Sequence, residues 1–167
     1  MIMDVKPLGI INTPFTESTG TPIQPRMAHG ALGTVEVFDE YVPGLKDIEG
    51  FERIWLLFWC HQAASPKLHV KPYMDTREHG LFTTRAPARP NPIGISSVRL
   101  LEVKENILKV ADVDMLDGTP LLDIKPYAPK FDCFEVQRCG WLDTVNNHSG
   151  LADNRFEQTR NIKEDNK

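Results

Sequence analysis

The stretch Arg53-Ile-Trp-Leu-Leu-Phe-Trp-Cys-His61 is the segment on which the fold depends. A run that is apolar on both faces suits either a central strand or a fully buried helix segment. The run has the length of a strand, and Gly50 lies just before it, which favours the strand. The sequence therefore places this segment at the centre of the core.

Composition limits what surrounds that segment. The chain has 167 residues, of which 41% are hydrophobic and 25% are charged. This length is enough for one compact core and excludes most two-domain enzymes. Thirteen prolines and 11 glycines exceed what long helices tolerate, because Pro lacks a backbone donor and Gly destabilises a helix interior. We therefore expect strands and structured loops.

The pattern along the chain predicts short strands around residues 5–11, 33–38, 53–61, 67–74, 80–84, 93–103, 107–113 and 121–127. The clearest hairpin joins 93–103 to 107–113 through the polar turn 104–106. Residues 17–33 read as a long loop, 43–50 as one helical turn, and 131–142 as a segment apolar enough to pack but of undecided type. Many short strands with few helix signals favour an antiparallel sheet that closes or folds on itself.

The sequence pattern also predicts the domain organisation and the cellular location of the protein. We expect one domain over residues 1–145 and a polar, partly flexible C-terminal extension over 146–167, with 162–167 frayed. Three cysteines without a C-x-x-C pair and without a signal peptide predict reduced, mostly buried thiols in a cytoplasmic protein. No apolar run approaches a membrane span, and the five histidines show no metal spacing, so neither membrane nor metal is expected.

Two segments carry most of the polar side chains suited to chemistry. The first, Thr84-Arg-Ala-Pro-Ala-Arg-Pro-Asn-Pro-Ile-Gly94, uses three prolines to stiffen a loop that presents two arginines and an asparagine. The second runs from Asp114 to Tyr127 and contains Asp-Gly and Thr-Pro, which are good turn residues. From spacing alone, a rigid strand connection and a simple turn explain these segments equally well.

Charge is distributed unevenly. Residues 67–99 hold six basic side chains against two acidic ones, a net charge of +4, in a chain whose total is −4. A basic island on an acidic protein fits a local phosphate-bearing ligand better than general coating of nucleic acid. The alternative interpretation is that surface charges are unevenly distributed without serving a ligand.

Five segments in order resemble the TsaA-like (TrmO, or YaeB/VirR) family. They cover roughly residues 6–143 and read Gly9-Ile-Ile-Asn-Thr-Pro-Phe15, Thr21-Pro-Ile-Gln-Pro25, Phe51 to His61, Phe82 to Gly94, and Leu116-Asp-Gly-Thr-Pro-Leu-Leu-Asp-Ile-Lys-Pro-Tyr127. The resemblance implies a mainly β fold, a small closed antiparallel β-barrel with long connecting loops and little helix. It also implies a homodimer with its cofactor pocket near the subunit interface.

For function, the resemblance implies an S-adenosylmethionine-dependent tRNA adenine methyltransferase. The positions that match the family's cofactor contacts are Pro22, Ile23, Gln24, His61, Gln62, Arg85, Ile95, Asp117, Gly118, Thr119, Pro120 and Leu121. An arginine pairs well with a carboxylate in a fork, and the backbone of a turn can bind the adenine edge.

The acceptor implied by the resemblance is the exocyclic amine of the threonylcarbamoylated adenosine next to the anticodon. We hypothesise that Asn91, held between Pro90 and Pro92, is catalytic and accepts a hydrogen bond from that amine. Arg89, Lys71 and Arg77 are candidates for contacts with RNA phosphates.

The chain departs from the family pattern in two places. The Thr-Arg-Ser-Pro motif of many members reads Thr84-Arg-Ala-Pro87 here, which removes a hydroxyl. The longer bacterial members continue into a C-terminal domain that helps to hold tRNA, whereas this chain ends soon after Leu151. Methylation of a small molecule and a non-catalytic sensor of S-adenosylmethionine therefore stand as alternatives.

Overall fold

A computed structural model describes residues 4–145 and 149–157. Six strands form a closed barrel: β1 (Gly9–Asn12), β2 (Leu32–Val37), β3 (Arg53–Trp59), β6 (Ile93–Lys104), β7 (Ile107–Ala111) and β8 (Thr119–Pro126). Around the barrel their order is β1-β2-β7-β6-β3-β8, and every pair is antiparallel. Closure leaves these strands no open edge. The predicted mainly β barrel is confirmed.

Strand β3 lies between β6 and β8, as its apolar sequence predicts. Ile54, Leu56 and Phe58 alternate along the strand and are buried in the barrel, at most 7% exposed. The other face is also apolar, and there the ring of Trp55 lies 5.6 Å from that of Tyr127. Both faces of the run are therefore used, one in the core and one on the outer wall.

The barrel interior forms a single apolar cluster drawn from all six strands and their connections. Its buried members are Ile11, Val35, Val37, Leu45, Ile54, Leu56, Phe58, Val98, Leu108, Val110, Val113, Met115 and Leu121. Full burial of one such side chain contributes roughly 1.5–3 kcal/mol relative to exposure. This core, rather than any helix, holds the barrel wall in place.

The predicted hairpin is confirmed. Strand β6 ends at Lys104 and β7 begins at Ile107, so Glu105 and Asn106 form a two-residue turn. Glu105 has φ 55°, in the left-handed region typical of such turns. The Asn106 side-chain amide donates to the Val37 carbonyl at 3.1 Å, which ties the turn to β2.

The strands predicted for 67–74 and 80–84 are largely wrong. Only β4 (His69–Val70) and β5 (His79–Gly80) form, as a separate two-stranded sheet. Leu81–Thr83 is a 3-10 helix, and the Thr84 hydroxyl donates to the Leu81 carbonyl at 2.8 Å. The apolar residues that suggested strands are buried by loop packing instead, in a second cluster made of Val70, Leu81, Ala86, Ala88 and Phe156.

The described part of the C-terminal extension, residues 149–157, lies against the barrel domain. Leu151 bridges to Pro22 and Glu157 to Ala63, both antiparallel. Phe156 is 6% exposed and packs edge-on against Tyr73, with ring centroids 5.1 Å apart. Residues 162–167, predicted to fray, lie outside the described residues, and the division at residue 145 stays a prediction.

Helix is scarce, as expected. Short 3-10 segments occupy Pro25–Met27, Asp39–Leu45, Ile48–Gly50 and Gly140–Thr144, and the one α-helix of the described chain, α1, spans Pro129–Asp132. The expectation that 131–142 packs holds only in part, and the prediction of mostly buried thiols is wrong, because Cys133 and Cys139 in this segment are exposed. Trp141 stacks on His79 and donates to the Thr83 carbonyl at 2.8 Å, whereas Phe131 and Phe134 are 70% and 77% exposed. In the described ranges, no helix has the length and apolar character needed to cross a membrane.

Candidate functional site

A cavity of about 340 Å³ opens at the barrel mouth, where β3 ends and β6 begins. This volume is in the range of small-molecule sites. Phe58 and Gly94 form part of its wall, and a Cβ added at Gly94 would lie 2.2 Å from the Phe58 ring. Glycine at this position is what allows the ring to approach β6 so closely. The cavity therefore has an apolar wall built by the barrel itself.

Arg85 and Gln24 meet across the cavity from two loops that are 61 residues apart in sequence. The Arg85 guanidinium donates to the Gln24 Oε1 at 2.5 Å, and the Gln24 amide donates to the Ile23 carbonyl at 2.5 Å. Arg85 is exposed and lines the cavity, and its guanidinium has donors that the bond to Gln24 does not use. Such an oriented arginine suits a carboxylate or phosphate.

Arg89 also lines the cavity, but its guanidinium serves the loop. It donates to the carbonyls of Leu81, Thr84 and Ala86 at 3.4, 3.0 and 3.3 Å. It also lies over the Phe82 ring, 5.6 Å from the centroid. These contacts, with the prolines, explain why the 84–94 loop holds its shape beside the opening.

His61 contributes a neutral imidazole at the end of β3. Burial lowers its pKa, and a hydrogen bond with the Trp59 backbone works in the opposite direction. Its Nδ1 lies 3.4 Å from the Thr119 hydroxyl, which itself donates to the Leu116 carbonyl at 2.6 Å. At neutral pH this ring offers one donor and one acceptor without a charge.

Asp114 is the one carboxylate among the described residues that line the cavity. The Ser96 hydroxyl on β6 donates to its Oδ1 at 2.5 Å. Burial raises the pKa of Asp114 to about 7, against the opposing effects of the Ser96 bond, its own backbone amide and the charge of Arg85. None of the described salt bridges includes this carboxyl.

Two further titratable groups on the wall keep their protons. Burial raises the pKa of the Cys60 thiol to about 11, and the nearby Asp114 carboxylate adds to the effect. Burial also raises the pKa of Tyr73. Both groups are therefore neutral at physiological pH and act as wall and hydrogen-bonding groups rather than as bases.

The structure brings together eight of the predicted cofactor residues. These are Pro22, Ile23, Gln24, His61, Gln62, Arg85, Ile95 and Thr119. Asp117, Gly118 and Pro120 lie on the adjoining turn outside the cavity lining, and the Leu121 side chain is fully buried in the barrel core. The Asp117 carboxylate accepts a hydrogen bond from the Thr13 amide at 2.9 Å, and Gly118 has φ 71°, so this turn has a fixed shape.

The other predicted site residues lie around the opening or away from it. Asn91 is exposed and does not line the cavity, although its neighbours Arg89 and Ile93 do. Lys71 is exposed. Arg77 is bonded to Asp75 at 3.0 Å, with 67% of its side chain exposed. Arg99, counted in the basic island, pairs with Asp112 at 2.9 Å.

Sequence reasoning missed several wall residues, namely Ser96, Asp114, Tyr73, Ala152 and Phe156. Asp114 directly follows the predicted strand 107–113, but the Asp-Gly and Thr-Pro turn residues beside it explained the segment as a simple turn. Ala152 and Phe156 were missed because the C-terminal extension that contains them is mostly polar in sequence. Among the described residues, no group of three or more His, Cys, Asp or Glu side chains is arranged to hold a metal ion.

A closed six-stranded antiparallel barrel with a mostly apolar cavity at its mouth defines a small-molecule-binding β-barrel domain. Residues 10–133 match the family model described as the tRNA-methyltransferase O N-terminal domain. The chain belongs to this family, which confirms the resemblance carried by the five segments.

Individual relatives agree. A Pyrococcus abyssi (strain GE5 / Orsay) protein, named a "Probable S-adenosyl-L-methionine-binding protein", is 59% identical over 138 residues, 83% of this chain and 75% of that protein. The Escherichia coli (strain K12) tRNA (adenine(37)-N6)-methyltransferase is 36% identical over 132 residues, 73% of this chain and 56% of that enzyme.

Among solved structures, the crystal structure of TrmO from Pseudomonas aeruginosa is similar to this chain with a TM-score of 0.71 and 39% identity. The match covers 84% of this chain and 63% of that one. The chain thus spans less than two thirds of the length of both the Escherichia coli enzyme and the Pseudomonas protein.

Proposed function

We propose that this chain binds S-adenosylmethionine in the barrel-mouth cavity and transfers its methyl group to an exocyclic amine of a tRNA adenosine. The observation that carries this proposal is the meeting of Gln24, His61, Arg85, Ile95 and Thr119 around one cavity. These residues come from separate parts of the sequence and match the family's cofactor contacts. The relatives' names support the same cofactor and reaction.

The residues present fit this cofactor. Arg85, pre-oriented by Gln24, suits the carboxylate of its amino-acid part. The apolar wall of Phe58 and Ile95 suits the adenine ring, and the neutral His61 and Thr119 can bond polar atoms without adding charge. The cavity volume of about 340 Å³ is adequate for a ligand of this size.

The cofactor supplies an activated methyl group on a sulfonium centre. What the chain supplies is position and exclusion of water. The stiff 84–94 loop, held by Arg89, fixes Arg85 beside the opening and so limits the motion of a bound molecule. Holding donor and acceptor in line supplies a large part of the acceleration in such transfers. Because the cavity wall is mostly apolar, the site does not have to resolvate the positive charge of the sulfonium as it disperses.

For the acceptor, we propose the threonylcarbamoylated adenosine next to the anticodon. Asn91 lies beside the lining residues Arg89 and Ile93, where it can contact a nucleotide entering the opening. Lys71 and Arg77 are exposed in the same basic island and are proposed to contact RNA phosphates. We propose that Arg89 contacts RNA phosphates as well, through the guanidinium donors that are not bonded to the loop carbonyls.

We also propose that the protein is a homodimer whose interface adjoins the cavity. Exposed apolar side chains support this proposal, because a monomer rarely leaves so many uncovered. They are Ile93, Ile95, Phe131, Phe134, Val136 and Leu142, from 43% to 77% exposed. Ile93 and Ile95 also line the cavity, so the exposed apolar side chains of β6 adjoin the site. Light scattering should give a dimer mass, reduced to that of a monomer in Phe134→Asp.

The deciding experiment measures transfer of a labelled methyl group from S-adenosylmethionine to tRNA. Two substrates are compared: tRNA carrying the threonylcarbamoyl group and the same tRNA lacking it. Transfer only to the first supports the full proposal, and transfer to both removes the requirement for the prior modification. Binding of the cofactor by calorimetry, without transfer to either, contradicts the enzymatic part.

The names of relatives also support a second candidate, a protein that binds S-adenosylmethionine without acting on tRNA. Such a protein would be a sensor, or would methylate a small molecule. The calorimetric experiment with negative tRNA transfer is the result expected for it. A screen of small amines as methyl acceptors then separates the sensor from the small-molecule enzyme.

A further inference from the structure

We propose that the Asp114 carboxylate accepts the proton that the acceptor amine loses on methylation, and that the Ser96 hydroxyl positions it. This inference rests on the proposed function and assigns that reaction a catalytic base. Asp114 follows β7 on the loop that leads to β8, and Ser96 is on β6, so the hairpin brings together two residues that are 18 apart in sequence.

The Asp114 carboxyl borders the cavity and has one side-chain hydrogen-bond partner among the described residues. Its Oδ1 accepts the Ser96 hydroxyl at 2.5 Å, and Asp114 lines the cavity. Arg85, the basic side chain whose charge acts on Asp114, is hydrogen-bonded to Gln24. Within the described residues, no cation is paired with Asp114, so its charge is not already neutralised by the protein.

The chemistry requires such a group. As the amine nitrogen forms a bond to the methyl carbon, the sulfur–carbon bond breaks and its electron pair stays on sulfur. The nitrogen of the threonylcarbamoylated adenosine has a single proton, and it carries the positive charge until that proton leaves. A carboxylate oxygen of Asp114 takes that proton, which restores a neutral amine and gives a neutral carboxylic acid that later releases the proton to solvent.

The other titratable groups on the wall are poorer acceptors. Cys60 and Tyr73 hold their own protons at neutral pH, because burial raises the pKa of each. Burial lowers the pKa of His61, which makes its imidazole a weaker base. Asp114, whose pKa burial raises to about 7, is matched to accepting a proton near neutral pH. The groups that face it are the neutral Cys60 thiol and the Arg85 guanidinium.

The first test compares Asp114→Asn with wild type and with Glu102→Gln. Glu102 is an exposed acid on β6 that pairs with Lys109 away from the cavity. Asp114→Asn should lower kcat about 100-fold or more, because general-base catalysis typically contributes at least that factor. The Kd for S-adenosylmethionine should change by no more than about threefold. Glu102→Gln, which makes the same acid-to-amide change, should retain wild-type kcat.

The second test uses Ser96→Ala and does not depend on activity. The Ser96 hydrogen bond lowers the pKa of Asp114, so its loss should raise that pKa. Carbon-13 NMR of the Asp114 carboxyl in the free protein should show titration near pH 7 in wild type and at higher pH in the variant. The acidic limb of kcat should move in the same direction, which a merely structural serine would not cause.

Several results would overturn the inference. They are an Asp114→Asn enzyme with wild-type kcat, an equal loss of kcat and cofactor affinity, or an Asp114 pKa below about 5. The last two would assign Asp114 to cofactor recognition or to structure. Wild-type protein that transfers no methyl group to tRNA refutes the proposed function and the inference together, whereas an active wild type with an equally active Asp114→Asn refutes the inference alone.

Discussion

Two aspartates that are two residues apart lie in opposite environments. Asp112, on the outer wall, accepts hydrogen bonds from Arg53 at 2.8 Å, Arg99 at 2.9 Å and the Gly30 amide at 3.1 Å. Asp114, at the cavity, has the Ser96 hydroxyl instead. Burial raises the pKa of both, but the two arginines outweigh burial at Asp112 and lower its pKa overall, whereas the pKa of Asp114 remains raised.

Two neighbouring carboxylates of the same residue type therefore differ in pKa and in role because their hydrogen-bonding and charged partners differ. The ion pairs hold Asp112 ionised, so its carboxylate ties β7 to β3 and β6 and has no proton to exchange near neutral pH. Asp114 has no such partner and can change its charge in that range. One carboxylate fixes the wall, and the other is suited to chemistry.

The largest effect should be a gain in stability in Asp114→Asn. Because folding raises the pKa of Asp114 from 3.8 to about 7, the folded state binds more protons between these values, and wild-type stability falls as pH rises from 4 to 7. Asp114→Asn removes the titrating group and so avoids this loss of stability. The free energy of unfolding of the variant should therefore exceed that of wild type by an amount that grows from pH 4 to pH 7, to as much as about 4 kcal/mol. Urea unfolding at several pH values measures it, and a difference that does not vary with pH would contradict the assignment.

The next effect, of opposite sign, is expected in Asp112→Asn. Removing the charge leaves Arg53 and Arg99 with a weaker partner, which should cost about 2 kcal/mol, since both arginines are partly exposed and screened. Folding lowers the pKa of Asp112, so the cost should be constant above pH 5 and disappear as pH falls through the folded-state pKa. Unfolding curves at pH 7 and pH 3 check this, and an equal loss at both would contradict it.

The smallest effect separates the arginines of the two regions. Arg85→Gln should weaken binding of S-adenosylmethionine about tenfold, or about 1.4 kcal/mol, with little change in Tm. Arg99→Gln should lower Tm and leave the affinity unchanged, because Arg99 bonds Asp112 on the outer wall. Calorimetric titration and thermal unfolding of both variants measure the two quantities. Loss of affinity in both would mean that the wall and the cavity are coupled.

The barrel could be predicted from sequence because its strands carry strong local patterns. The apolar run of β3 and the polar turn between β6 and β7 each specify an element without reference to distant residues. The strands predicted within residues 67–84 were largely wrong, because the apolar residues Val70 and Leu81 pack in a cluster formed by loops rather than in a sheet. Apolar character predicts burial there, but not the element that is buried.

The site was only partly predictable, for a related reason. Arg85, His61 and Gln24 were found through motifs that resemble a family, whereas Asp114 and Ser96 meet only once the register of β6 against β7 is fixed. No local pattern encodes that register. Phe156 was missed because one buried aromatic ring in a polar extension does not alter its composition.

The segment 149–157 has a practical consequence for anyone trimming this protein. A recombinant fragment cut to residues 10–133, the part matched by the family, would retain every barrel strand except the first residue of β1. It would lose Ala152 and Phe156, which close one side of the cavity. Such a fragment could fold and still bind weakly, so affinities measured on it would understate those of the longer chain.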